Sequence, residues 1–343
     1  MIDLSVAARR GLEANRKPSM RCFAGIVGCM LALSFSASLC FAEASLSQAD
    51  AALQAGRADE ARGILDAMVN AAPGNAEAYN LLGRVEFTLQ HWENAVNDCQ
   101  KAVNLKPEDA RYHLWLGRAL GERAGHASFL NAFTLARRSR AEFATAARLA
   151  PKDAEALTDL AEFDREAPSV IGGGLGKAEE IARQLDQIDP PRAHDLRAQM
   201  AEKEHDPSRA EGDLKAAFHG ARHPAFQWIA LAKFYLHQQR WSDMEEALNH
   251  AASAAEHDPR AAVTLYDGAS ILARTNRNLP MSIRWMEKYV ASPDKTEEGP
   301  AFEALVRLSH WYHQTGNQAA AERDRAAALA LAHDYKPALE PWK

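Results

Sequence analysis

The chain has 343 residues, 47% of them hydrophobic and 25% charged, the balance of a soluble globular protein. That length would fill about two ordinary domains, unless the chain is built of repeats, which lengthen without thickening. A formal net charge of -6 gives no reason to expect nucleic acid or an anionic membrane surface as the partner.

The first stretch is unlike the rest. Arg9, Arg10, Arg16, Lys17 and Arg21 precede an uncharged, mostly apolar run from Cys22 to Ala42, with a second methionine, Met20, where translation could also begin. The run ends in Ala42-Glu43-Ala44, a small-x-small signal of the secretory type, so cleavage after Ala44 and a periplasmic or secreted mature protein are expected. The alternative is an uncleaved anchor in the inner membrane, because about 20 apolar residues span a bilayer; Ser34, Ser36 and Ser38 weaken it. Cys40 would suit lipidation, but Leu39 stands where that signal carries a small residue. Removing residues 1–44 leaves 35 basic against 43 acidic residues and Cys99 as the one cysteine, which excludes an intramolecular disulfide. Cys99 lies on the packing face of its helix and reads as a buried small apolar residue rather than a reactive thiol.

Residues 45–73 carry a weak two-helix pattern, with Ala49 and Ala61 at small positions, Leu65 and Met68 at packing positions and Pro73 as the stop. Residues 76–107 carry the same pattern strongly. Tyr79, Leu82, Gly83 and Glu86 share a face of the first helix; Ala95, Cys99 and Ala102 share a face of the second, and Pro107 closes it. Gly83 and Ala95 fall where the two helices must cross most closely. This residue order resembles the tetratricopeptide repeat, a helix–turn–helix unit of about 34 residues.

The third repeat opens with His113, Leu116, Gly117 and Leu120, and counting back from Pro151 puts Ser139, Phe143 and Ala146 at the packing positions of its second helix. About ten extra residues separate the two, measured against the usual repeat. Phe129, Leu130 and Phe133 continue the apolar face at helical spacing, which predicts one long second helix from about Ser128 to Leu149. The fourth repeat places Leu157, Leu160 and Ala161 on one helix and Ala178, Ala182 and Leu185 on the next. Between them Pro168 stops the first helix, and Gly172, Gly173 and Gly174 cannot sustain another. Looser repeats follow, marked by Ala198 and Ala210, by Trp228 and Leu248, by Gly268 and Met286, and by Leu308 and Ala328.

The resemblance implies an all-α, right-handed α-solenoid of about eight repeats. They lie near 45–75, 76–109, 110–153, 154–190, 191–223, 224–260, 261–299 and 300–333, with a C-terminal cap at 334–343 and the signal at 1–44. It also implies that the first helix of each repeat lines a concave surface.

Catalytic and metal signatures are missing from the sequence. The run from Gly172 to Lys177 lacks the leading Gly and the hydroxyl of a phosphate loop, holding Ile171 and Ala178 there instead. The pairs His219/His223 and His310/His313 have no third ligand nearby in sequence. No catalytic residue, cofactor or metal is therefore expected. Charge says more: seven arginines lie between Ala110 and Ala150, and six acids between Asp153 and Glu166. Such polarity would weld one repeat to the next. A second use would be ligand binding. On the concave face Asn80, Arg84, Arg111 and Arg118 resemble part of the clamp by which some tetratricopeptide domains hold a peptide's terminal carboxylate, although its lysines are absent. The two insertions project from one edge, where Phe129 and Phe133 are expected to meet Val170 and Ile171. The function expected is a non-enzymatic scaffold or adaptor of the bacterial cell envelope holding a protein or peptide in its groove. The alternative is an accessory subunit of an envelope enzyme or polysaccharide or secretion machine, binding through rim or convex face.

Overall fold

The computed structural model describes residues 45–342, and the expected signal segment with Cys22, Cys29 and Cys40 lies outside them. A helix at 45–54, α1, opens the described chain. It is followed by α2 (Ala58–Ala71), α3 (Ala76–Thr88), α4 (Trp92–Leu105), α5 (Ala110–Gly125), α6 (Phe129–Leu149), α7 (Ala154–Glu166), α8 (Leu175–Leu185) and α9 (Pro190–Lys203). Then come α10 (Pro207–Ala216), α11 (Pro224–His237), α12 (Trp241–Ala255), α13 (Val263–Thr275), α14 (Leu279–Ala291), α15 (Ala301–Gln314), α16 (Gln318–Leu331) and α17 (Lys336–Leu339). Short 3-10 turns at Ser169–Ile171 and Pro259–Ala261 complete the described elements, and no strand occurs among them.

Local chemistry sets both ends of the helices. Asn75, Asp109, Asp153, Asp189, Asp206, Asn278 and Asn317 each accept a backbone N–H from the turn they precede; such a cap is worth about 1 kcal/mol. The turn from first to second helix uses one left-handed residue at a matching place: Gly56, Gln90, His205, Gln239, Asn276 and Gly316, with φ between 51° and 79°. That conformation lets the last carbonyls of a helix find a donor while the chain reverses. The third repeat, which carries the longer insertion, turns without one.

Successive pairs pack side by side into an all-α solenoid. First helices also touch first helices, α3 with α5, α5 with α7, α7 with α9 and α11 with α13, whereas successive second helices stand further apart. The first helices therefore form the inner wall. Helix α6 is a single long helix whose Ser139, Phe143 and Ala146 are buried, and α7 ends before Pro168.

The array does not stay open. Phe302, Leu305 and Val306 of α15, with Ala328, Ala332, Tyr335 and Ala338, share one apolar core with α1, α2 and α3. A Cβ on Gly56 would lie 2.3 Å from the Ala301 nitrogen, so the first turn abuts the start of α15. Around this core Arg62 reaches Asp334 at 2.8 Å and Glu86 at 3.0 Å, and the Gln90 amide donates to the Tyr335 hydroxyl at 3.2 Å. A solenoid needs something to cover the apolar sides of its terminal repeats. Here the first and last repeats cover each other. The tail adds to this, for Arg325 donates to the carbonyl of Ala338 at 2.6 Å and Trp342 donates to Ser309 Oγ at 2.8 Å.

Candidate functional site: the inner wall

The clamp residues are spoken for. Arg84 grips Glu297 through two hydrogen bonds, 3.0 and 2.7 Å, with Asp50 at 3.5 Å. Arg118 binds Asp159 and Glu155, each at 2.6 Å. Arg111 holds Glu77 at 2.9 Å and Asp109 at 3.0 Å, and the Tyr112 hydroxyl donates to the same Glu77 at 2.8 Å. Asn80 is 1% exposed and closed off from any ligand. This corrects the expectation of a free carboxylate clamp. Arg111 and Arg118 are taken by carboxylates of adjacent repeats. Closure is the reason at Arg84, because the connection 292–300, leading into α15, brings Glu297 onto α3 and Glu298 toward α5 and α7. Trp115 between them has both guanidinium groups over its ring, Arg84 at 5.2 Å and Arg118 at 4.7 Å. The acidic fourth repeat does weld to the basic third, through Arg118 and through Arg140, which takes Asp164 at 2.6 and 2.9 Å.

The rim needs a second correction. The turn Ser169–Ile171 does lie on α6, but beside Arg140, whose Cδ is 3.0 Å from where a Cβ on Gly172 would sit. The Gly174 N–H donates to the Asp164 carbonyl at 2.6 Å, which pins the loop at that level. Phe129 lies roughly 16 Å further along α6 at 1.5 Å per residue, beyond its reach. Phe129, Leu130 and Val170 consequently stay 85%, 78% and 73% exposed; Phe133 and Ile171 are half-buried, Phe133 under the Arg137 guanidinium at 5.9 Å.

What the sequence did not reveal is further along the wall. Between α7, α9 and α11 lies a cavity of about 600 Å3 lined by Thr158, Glu162, Asp195, Gln199, Phe226 and Gln227. A second, of about 680 Å3, shares Asp195, Gln199 and Phe226 and extends to Lys233, His237 and Asp267. Burial pushes the Asp195 carboxyl up to about 6, with Arg192 pulling the other way. Burial also raises Glu162, helped by Asp159, and raises Asp267 against the pull of Lys233. Gln227 is 8% exposed, and its Oε1 finds no hydrogen-bond donor; neither does Oδ1 of Asp195. A signal for this site existed in part, since Gln227 is a polar residue in the otherwise largely apolar α11; Asp195 lies in the polar α9 and does not stand out.

One other grouping joins distant residues. Asp59, His333 and Asp334 bring donor atoms of metal-ligand type within 4.8 Å of one another. The His333 backbone N–H donates to Asp59 at 2.9 Å, its ring Nδ1 lies 2.9 Å from the same carboxylate, and Asp334 takes Arg62. These contacts serve the closure.

First and second helices cross closely at small residues. A Cβ on Gly83 would stand 2.5 Å from Cys99 Sγ and 3.3 Å from the Ala95 carbonyl, one on Gly117 2.6 Å from the Phe143 ring, and one on Gly268 3.3 Å from Trp285. The small residues sit at the point of closest approach, in register from repeat to repeat. These pairs have the helix–turn–helix form that the tetratricopeptide resemblance implies. No family model matches the chain, and no curated protein sequence matches it either. Among solved structures it is similar to a thermophilic TPR protein of Thermus thermophilus, at 17% identity and a TM-score of 0.48 over 57% of this chain and 99% of that one. It is also similar to MamA, at 20% identity and a TM-score of 0.37 over 47% and 87% of the two chains. A third is the APC/C hetero-tetramer Cut9-Hcn1, at 13% identity and a TM-score of 0.39 over 86% and 55%. Likenesses at this level carry nothing about what the inner wall of this chain binds.

Proposed function

We propose that the protein is a non-enzymatic scaffold of the bacterial cell envelope, exported by its first 44 residues, that holds a segment of a partner protein against the inner wall of α7 to α13. One observation carries this reading. The apolar face of α1 to α3 is covered by the chain's own last repeat, whereas the two adjoining cavities around Asp195 and Phe226 are lined mainly by first helices and their turns, with Leu214 of α10 the second-helix residue in the larger one. Stacked first helices supply an extended surface with fixed side chains, the usual way in which such an array recognises a polypeptide.

A second reading, an accessory subunit that docks by its rim, is favoured by the neighbouring exposed Phe129 and Leu130 at the start of α6, because apolar side chains left in water mark interaction sites when they gather. Photo-crosslinking in intact cells separates the two. With benzoylphenylalanine in place of Phe226, of Phe129 or of the outer-wall residue Arg148, a discrete adduct is expected from the Phe226 position. An adduct from Phe129 alone moves the partner to the rim; no adduct from either overturns the scaffold. Intact mass of the exported protein should place Ser45 at the mature N-terminus.

A further inference from the structure

The cavity between α7, α9 and α11 has a chemistry of its own. Gln227, more than nine-tenths buried, offers an amide oxygen without a donor, and Asp195 beside it offers a carboxylate oxygen in the same condition. A buried acceptor left without its hydrogen bond is costly, so two on one cavity wall call for a group rich in N–H donors. A phosphate, carboxylate or carbonyl would bring only further acceptors. Arg192 is engaged with Asp189 at 3.2 Å and His223 with Asp258 at 2.6 Å. Arg222 also lines the cavity and Arg192 still acts on Asp195 from a distance, so the charge of the wall is mixed and the selection rests on the two unmade hydrogen bonds. Phe226 and Ile188 supply apolar surface, and an aromatic ring beside a cation adds to its binding.

We propose that this cavity receives a cationic side chain, a lysine or arginine displayed by the partner polypeptide, its charge at Asp195 and Gln227 Oε1 and its stem along Phe226 and Ile188. The proposal rests on the scaffold reading and names the residue type that the inner wall selects. A long basic side chain fits a cavity of about 600 Å3, and its hydrogen-bond donors satisfy both acceptors at once.

The test is an NMR titration of the purified, nitrogen-15-labelled protein, following the Gln227 side-chain amide. The probes are the Nα-acetyl methylamides of lysine, arginine and norleucine, and spermidine. Lysine or arginine amide should give a saturable shift, at least about tenfold tighter than norleucine amide. Asp195→Asn, which keeps the shape of the side chain, should weaken it at least about tenfold, and Gln227→Leu, read at the side-chain amide of Gln199 on the same cavity, should do the same if that variant folds. Equal response to norleucine, no saturable shift with either cationic amide, or unchanged affinity in Asp195→Asn overturns the proposal. Tighter binding of spermidine than of either amide overturns the polypeptide source and makes the ligand a free polyamine. Failure here with a Phe226 adduct still formed in cells sinks the cationic side chain alone; loss of that adduct too sinks the scaffold.

Discussion

Asp195 lowers the stability of the protein that carries it. Burial lifts its carboxyl to about 6, and Asp189 pushes the same way; Arg192, Gln227 and His194 oppose this without cancelling it. The sign follows from linkage. A carboxyl whose folded pKa lies above its unfolded value destabilises the fold when ionised. The cost is full above about pH 6, shrinks as the pH falls, and is gone below the unfolded value near about 4, where both states are protonated. Asp195→Asn should therefore raise stability at pH 7.5 by up to about 3 kcal/mol and change it little at pH 4. Urea midpoints at the two pH values read this directly; equal effects at both, or a loss at pH 7.5, would place the side chain in an ordinary solvated setting. A residue that costs stability while facing a cavity is the pattern expected where binding, and not folding, has fixed its identity.

At the scale of the element, small residues decide. Gly83→Ala would drive a methyl group into Cys99 and the backbone beside it, and overpacking of that kind costs about 1–3 kcal/mol. Gly63, in the middle of α2, has open space where its Cβ would be, so Gly63→Ala should stabilise by about 0.5–1 kcal/mol. Thermal unfolding of the two variants should give shifts of opposite sign; shifts of the same sign would mean that the helices cross less closely at Gly83. The same local rules explain what could be read from the sequence. Gly83 and Gly117 stand one repeat length apart and each packs on the following helix, so the helix pairs were legible through the tetratricopeptide resemblance and the long α6 through the helical spacing of its apolar residues. The clamp was misread at Arg84 because its partner lies far away: Glu297 is 213 residues on, and no periodicity reports a contact made by closure. Arg111 and Arg118 meet Glu77 and Asp159 only 34 and 41 residues away, pairs between adjacent repeats of the kind that the charge pattern already suggested. The rim was misread for a different reason. Apolar residues on two insertions were assumed to find each other, but a backbone hydrogen bond from Gly174 to Asp164 holds the loop too far up α6. Phe129 touches too little to matter for folding, so Phe129→Ser should leave the unfolding midpoint within about 0.5 kcal/mol of the parent; a large loss would mean that the side chain is covered.

At the scale of the whole molecule, closure changes how a repeat array behaves. An open solenoid is a line of nearest-neighbour interfaces, and its ends fray first. In this chain α15 sits on α1 and α3 through an apolar core and through the pair of Arg84 with Glu297. Both partners are largely sheltered, their side chains 15% and 14% exposed, so the pair is worth more than a surface bridge, whose contribution is about 0–1 kcal/mol. Breaking it by Arg84→Glu, or by Glu297→Arg, leaves a like charge in a half-buried place and should cost about 1–3 kcal/mol. The doubly swapped protein should recover most of that. Recovery will be incomplete, because Asp50 stands 3.5 Å from Arg84 and would face the new glutamate. Hydrogen exchange gives the architectural half of the test. In the parent, amides of α1 and α16 should be protected nearly as well as those of α7, since neither end is free. Either single reversal should expose α1 and α16 together while α7 stays protected. If α1 and α16 exchange early in the parent itself, or if the double reversal is no more stable than the singles, the first and last repeats do not hold each other and the array is an open one.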